Sequence, residues 1–142
     1  MNIKIKQLHK DSIIPIYKSE GASGFDFHSI EEVEIKPKDI AQIKTGLAFE
    51  IPLGYEMQIR PRSGLALNHG ISVLNTPGTI DSDYRGEVII ILINFSNKIF
   101  VVNKGQRIAQ GVIASICRVN FEISTSLEST SRGIDGFGST GL

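Results

Sequence analysis

Short stretches in which every second residue is apolar, cut apart by turn residues, constrain this chain more than any other feature. In Asn2-Ile3-Lys4-Ile5-Lys6 the isoleucines fall on one side and the lysines on the other, because successive side chains of an extended backbone point to opposite faces. Val33-Glu34-Ile35-Lys36, Leu47-Ala48-Phe49-Glu50-Ile51 and Tyr55-Glu56-Met57-Gln58-Ile59 repeat the pattern. Lys36-Pro37-Lys38-Asp39, Pro52-Leu53-Gly54, Ser96-Asn97-Lys98 and Asn103-Lys104-Gly105 divide the runs with turn residues. Many short strands so spaced predict an all-β sandwich or barrel. Only residues 63–69 read otherwise: Leu65, Ala66 and Leu67 fit one or two helical turns, which Gly70 ends. Val88-Ile89-Ile90-Ile91-Leu92-Ile93 has no polar face, so this strand is expected to be covered on both sides, within a sandwich or by another subunit.

The whole-chain numbers exclude several function classes. The 142 residues suit one domain, and 15 basic side chains balance 15 acidic ones, leaving no broad field for nucleic acid or an anionic membrane. A single cysteine rules out an internal disulfide framework. Cys117 lies in the strand-like Ala114-Ser115-Ile116-Cys117 and is expected to be a small buried hydrophobe. No N-terminal targeting segment and no membrane-length apolar run is visible, so a soluble protein of the reducing cytoplasm is expected. After Arg118 the composition turns to Ser, Thr, Gly and charge. The expected organisation is a folded body over residues 1–118 and a mobile tail over 119–142, which lacks apolar anchors to offset chain entropy.

Five segments carry more chemistry than a β scaffold requires. Gly21-Ala22-Ser23-Gly24-Phe25-Asp26-Phe27 places a carboxylate between two aromatics after a glycine-flanked turn; Asp26 there either caps backbone amides or serves a site. Arg60-Pro61-Arg62-Ser63-Gly64-Leu65-Ala66 leads from a strand into the short helix. Ser63 is then an N-cap, or it joins Arg62 and the exposed amides in binding phosphate. Residues 75–87 hold three acids besides Tyr84 and Arg85 in one loop, either as a long hairpin with outward acids or as a general base beside a backbone edge open to a nucleobase. In Gly105-Gln106-Arg107-Ile108-Ala109-Gln110 strict alternation puts Arg107 and Ala109 on one face, Ile108 and Gln110 on the other. Arg107 is expected to pair with an acid such as Asp26 or Asp83. Last, Arg132-Gly133-Ile134-Asp135-Gly136-Phe137-Gly138-Ser139-Thr140-Gly141 combines converging amides, hydroxyls, one cation and one aromatic ring.

In this order and spacing the five segments resemble the five motifs of the trimeric deoxyuridine triphosphatase family, from Lys18 to Gly141. The resemblance implies a distorted jelly-roll β domain with one short helix, assembled as a homotrimer with active sites between subunits. It implies Mg²⁺-dependent hydrolysis of dUTP to dUMP and pyrophosphate, which limits uracil in DNA and supplies dUMP for thymidylate synthesis. Asp81 matches the carboxylate that activates the attacking water, and Gln110 a residue that helps hold it. Asn75, Gly78, Thr79 and Ile80 match the uracil-recognising edge, and Tyr84 the residue under deoxyribose. Arg62, Ser63, Gly64 and Gln110 match phosphate-side contacts. Arg132, Phe137, Gly138, Ser139 and Thr140 match the closing lid. Asp26 matches the acid linked to the metal, through water. Phe27 stands where leucine is common and Gln106 where aspartate often precedes the arginine, which leaves the partner of Arg107 open. The alternatives are a dCTP deaminase of the same fold, or a nucleotide-binding regulatory protein.

Overall fold

The computed structural model describes residues 1–136, so Phe137, Gly138, Ser139 and Thr140 lie outside the described residues. Eleven strands and one helix follow in order: β1 (Lys4–Gln7), β2 (Phe25–His28), β3 (Val33–Ile35), β4 (Ile40–Lys44), β5 (Leu47–Glu50), β6 (Tyr55–Arg60), α1 (Ser63–His69), β7 (Ile71–Val73), β8 (Gly78–Ile80), β9 (Ile89–Asn94), β10 (Phe100–Val102) and β11 (Arg107–Ser115). All pairings are antiparallel. The larger sheets run β2-β11-β6-β8 and β4-β9-β7, and the pairs β1-β5 and β10-β3 complete a distorted jelly-roll sandwich.

Alternation is what closes the core. Phe25 and Phe27 of β2, Met57 and Ile59 of β6, Ile90 and Leu92 of β9, and Ile71 and Val73 of β7 are buried at every second position. Phe27 is fully buried, its ring 5.7 Å from those of both Phe25 and Phe49 in edge-to-face contact. Gly111 makes room for this cluster, since a Cβ there would come within 2.6 Å of Phe25 and 2.8 Å of Phe27. The phenylalanine at this position is therefore a matter of core packing.

Helix α1 spans the expected residues and ends at Gly70, whose φ of 66° is the left-handed conformation that stops a helix cheaply. One expectation at its start fails. Arg62, not Ser63, is the N-cap residue, and no side chain caps the helix. Ser63 is already helical, so its hydroxyl is not committed to a backbone amide.

This chain covers one face of the apolar run at residues 88–93 fully and the other only at its end, where Ile93 is buried. Val88, Ile90 and Leu92 are fully buried, whereas Ile89 is exposed and Ile91 half-buried on the outer face. Beside them on the outside of this three-stranded sheet Ile40 and Leu74 are exposed as well. Cys117 departs from expectation: it is exposed. Strand β11 runs out of partner at Ser115, which pairs with Tyr55, the first residue of β6. One further bond follows, from Ile116 N–H to the Gly54 carbonyl at 2.9 Å. Residues 115–135 are exposed throughout. No helix of the described residues is long and apolar enough to cross a membrane.

Candidate active site

The four-stranded sheet carries one cluster at its β2-β11 end. Asp26 accepts from Arg62 Nε at 2.9 Å through Oδ1 and from Arg107 Nη1 at 3.1 Å through Oδ2. The open partner of Arg107 is thus Asp26. Gln106 acts elsewhere, its Oε1 accepting the Asn103 N–H at 2.8 Å and bracing the turn before β11. Two guanidiniums sharing one carboxylate leave a net positive charge, the field a polyphosphate requires. Arg62 Nη1 reaches the Arg107 carbonyl at 3.4 Å. Its Nη2 has no protein partner among the described residues.

Strict alternation predicted opposite faces for Arg107 and Gln110, and the structure overturns it. Arg107 faces His28, Ala109 faces Phe27 and Gln110 faces Asp26, with a register shift between Arg107 and Ala109. The additional residue of this β-bulge, Ile108, turns inward and is buried. Arg107 and Gln110 therefore share the face that carries Asp26 and His28. Gln110 is held there by donating Nε2 to the Pro61 carbonyl at 2.9 Å. This bond lays it beside the entry to α1, where Ser63 and Gly64 sit exposed.

His28 is a member of this cluster that the motif reading missed, although its spacing of two from Asp26 on one strand was visible. Its Nδ1 is buried without a hydrogen-bond partner among the described residues. Burial holds the imidazole below the usual histidine range, opposed by the Asp26 carboxylate and reinforced by Arg107, Lys18 and Arg62.

A second cluster gathers around residues 75–87. The segment is the long connection of a hairpin, since β7 and β9 pair antiparallel with each other, and within it β8 pairs with β6 of the other sheet. The chain leaves one sheet at Val73, lines the margin of the other with Gly78, Thr79 and Ile80, and returns. Strand β8 is the last of its sheet, so one side of its backbone has no strand partner. Thr79, Ile80, Asp81, Tyr84, Glu87 and Ile89 line a cavity of about 180 Å³. A turn closed by Tyr84 N–H to the Asp81 carbonyl at 3.2 Å ties acid and ring together, and Arg85 braces it through the Ser82 carbonyl at 2.7 Å. The Asp81 carboxylate is exposed and makes no side-chain hydrogen bond or ion pair among the described residues. Asn75 is exposed at the start of the segment.

One chain does not bring the clusters together. Gln110 is level with Arg60 on β6, whereas Ile80 is level with Met57 and Asp81 follows it. Four residues along β6 separate the two levels, about 13 Å at strand rise, with two strand spacings across as well. Arg132 is exposed in the tail and bonds locally, its Nε donating to the Asp135 carbonyl at 2.8 Å. No group of three or more His, Cys, Asp or Glu suited to a metal occurs among the described residues. Asp26, with both oxygens held by guanidinium, is suited to a cation only at one remove, through water.

Fold and site together define a jelly-roll β protein with an unpaired carboxylate beside an open strand edge and a separate cationic cluster for anions. The dUTPase family model matches residues 10–141. The chain is 58% identical over 141 residues to the deoxyuridine 5'-triphosphate nucleotidohydrolase of Nautilia profundicola, covering 99% of each. It is 52% identical to the protein of that name in Helicobacter pylori strain P12, covering all of this chain and 98% of that one. Among solved structures, the Staphylococcus bacteriophage 80alpha dUTPase with dUPNHPP superimposes with a TM-score of 0.93 at 28% identity, covering 99% of each chain. The chain belongs to the dUTPase family.

Proposed function

We propose that this chain hydrolyses dUTP to dUMP and pyrophosphate by attack of water on the α-phosphorus, with Asp81 as the group that orients and activates the water. The observation that carries this reading is the cavity in which the unpaired Asp81 carboxylate and the Tyr84 ring meet the open edge of β8. Relatives named for the reaction and a neighbour bound to a dUTP analogue support it.

Phosphoryl chemistry asks a protein mainly for positioning and for stabilising developing charge. In this reading uracil lies against the backbone of Gly78, Thr79 and Ile80, near Asn75. Its acceptor–donor edge matches the strand edge, where the reversed edge of cytosine leaves a buried polar group mispaired. Each such mispairing costs about 1–3 kcal/mol. Tyr84 packs under deoxyribose. Arg62, Ser63 and Gly64 take phosphate oxygens, and Gln110 steadies the water. The tail residues Arg132, Phe137, Gly138, Ser139 and Thr140 close over base and phosphates. Mg²⁺, held mainly by triphosphate oxygens and water with Asp26 linked through water, would neutralise phosphate charge, in keeping with a site that offers no cage of carboxylates among the described residues.

The separation of the two clusters supports a site completed between subunits, and the exposed Ile40, Leu74 and Ile89 on the outside of β4-β9-β7 supply an apolar face for the homotrimer. The decisive experiment incubates purified protein and Mg²⁺ with dUTP, dCTP, dTTP and UTP in turn, measuring pyrophosphate and ammonia. Pyrophosphate from dUTP alone is expected, whereas ammonia from dCTP would assign the chain to the deaminase branch. For the sugar contact, Tyr84→Ala is expected to narrow the preference for dUTP over UTP. An unchanged ratio of kcat/KM values would remove Tyr84 from this role.

A further inference from the structure

Tyr84 rests on bare backbone. Its Oη donates to the Glu87 carbonyl at 3.0 Å, which folds the side chain back over the two residues that follow it. A Cβ on Gly86 would lie 2.3 Å from Tyr84 Oη, 2.5 Å from Cζ and 3.0 Å from Cε2, where ordinary contacts span 3.4–4 Å. Gly86 is not among the glycines with a left-handed backbone. Alanine therefore suits the chain at this position, and what it does not suit is the ring.

We propose that Gly86 is a specificity-determining position, whose missing side chain seats the Tyr84 ring and thereby sets the preference for deoxyribose over ribose. The inference rests on the reading of Tyr84 as the ring beneath the sugar. Two other side chains assigned to the substrate or the water also lie against glycines. A Cβ on Gly24 would be 2.7 Å from Gln110 Oε1, and one on Gly78 would be 3.1 Å from Asn75 Nδ2. Those neighbours are the ends of short amide side chains. Tyr84 is a rigid ring tied at its far end to the Glu87 carbonyl, so relieving the contact swings the whole ring and disturbs that bond. The ring must retreat bodily by roughly 1 Å, and a displacement of that size in an active site is worth up to ~10²-fold in rate. Moved toward the cavity, the ring crowds deoxyribose; moved away, it opens the space a 2′-hydroxyl needs. Crowding costs dUTP, which fills the space, more than UTP, which is already excluded, so either displacement narrows the dUTP-to-UTP ratio.

The test compares the wild type, Gly86→Ala, Tyr84→Ala and the double variant, with kcat/KM for dUTP and for UTP and a thermal melt of each. Gly86→Ala is expected to lower the dUTP-to-UTP ratio about tenfold or more, and to change nothing further once Tyr84 is alanine, the signature of two residues acting through one contact. An unchanged ratio in Gly86→Ala, or an equal loss with and without the Tyr84 ring, would overturn the role of Gly86 while leaving that of Tyr84 in place. Full discrimination by Tyr84→Ala would instead sink the reading of Tyr84, and the inference with it. If Gly86→Ala does not fold, the clash account requires the double variant to recover the melt of Tyr84→Ala; a double variant that stays unfolded overturns it.

Discussion

Asp81→Asn lowers dUTP turnover by ~10²–10⁴, the usual range for loss of a general base, and leaves nucleotide binding and the melting temperature near their wild-type values. The expectation follows from how little else Asp81 does. Its carboxylate is exposed and its side chain makes no hydrogen bond or ion pair among the described residues; the turn to Tyr84 is closed by the Asp81 backbone carbonyl, which asparagine retains. Asparagine also keeps the size of the side chain. What it loses is the negative charge and proton affinity that orient and deprotonate a water. Single-turnover kinetics with dUTP, paired with calorimetric titration of a non-hydrolysed analogue, separates the two effects. Near-normal turnover would remove Asp81 from the reaction, and lost binding with a lowered melt would make it a structural residue.

Removal of residues 131–142 is expected to cost ~10²–10³ in turnover, the range for deleting transition-state charge stabilisation, with the fold intact. A closing segment completes a site and excludes water from it. In the described part of this stretch, the hydrogen bonds of Gly133, Asp135 and Arg132 all run to residues 130–135. Truncation therefore removes no bond to the β body among the described residues. Circular dichroism and size-exclusion chromatography should match the full chain while turnover falls. Unfolding of the truncated protein would assign the segment to stability, and full activity would deny it any part in closure.

The architecture was legible where a strand's own residues decide it. Residues 55–59 alternate because one face meets the core, and Gly70 ends α1 because glycine adopts the left-handed turn without a Cβ clash. What stayed hidden depended on partners distant in sequence. The loop at 75–87 reads as a hairpin, and its flanks β7 and β9 do pair, but that β8 within it finds its bonds on β6 was not visible. Cys117 reads as strand interior, but β6 begins opposite Ser115 and offers no ladder beyond. The site was readable as residue types in five segments. Its pairings were not: that Asp26 serves both Arg62 and Arg107 is a product of register, and the unsatisfied nitrogen of His28 is visible only once its surroundings are.

Ile108 gives β11 two reading frames. Upstream of it, the odd-numbered Arg107 faces the cationic cluster; downstream, the even-numbered Gln110 takes that orientation. The strand thus behaves like a sentence with one silent letter, intelligible only if the reader knows where to skip. Any graft, alignment or redesign that treats residues 107–115 as a uniform alternation will exchange inside for outside on one side of Ile108. Because Arg107 and Gln110 lie on opposite sides of that point, one of the two would be misplaced, and the error would fall on the chemistry before it fell on the fold.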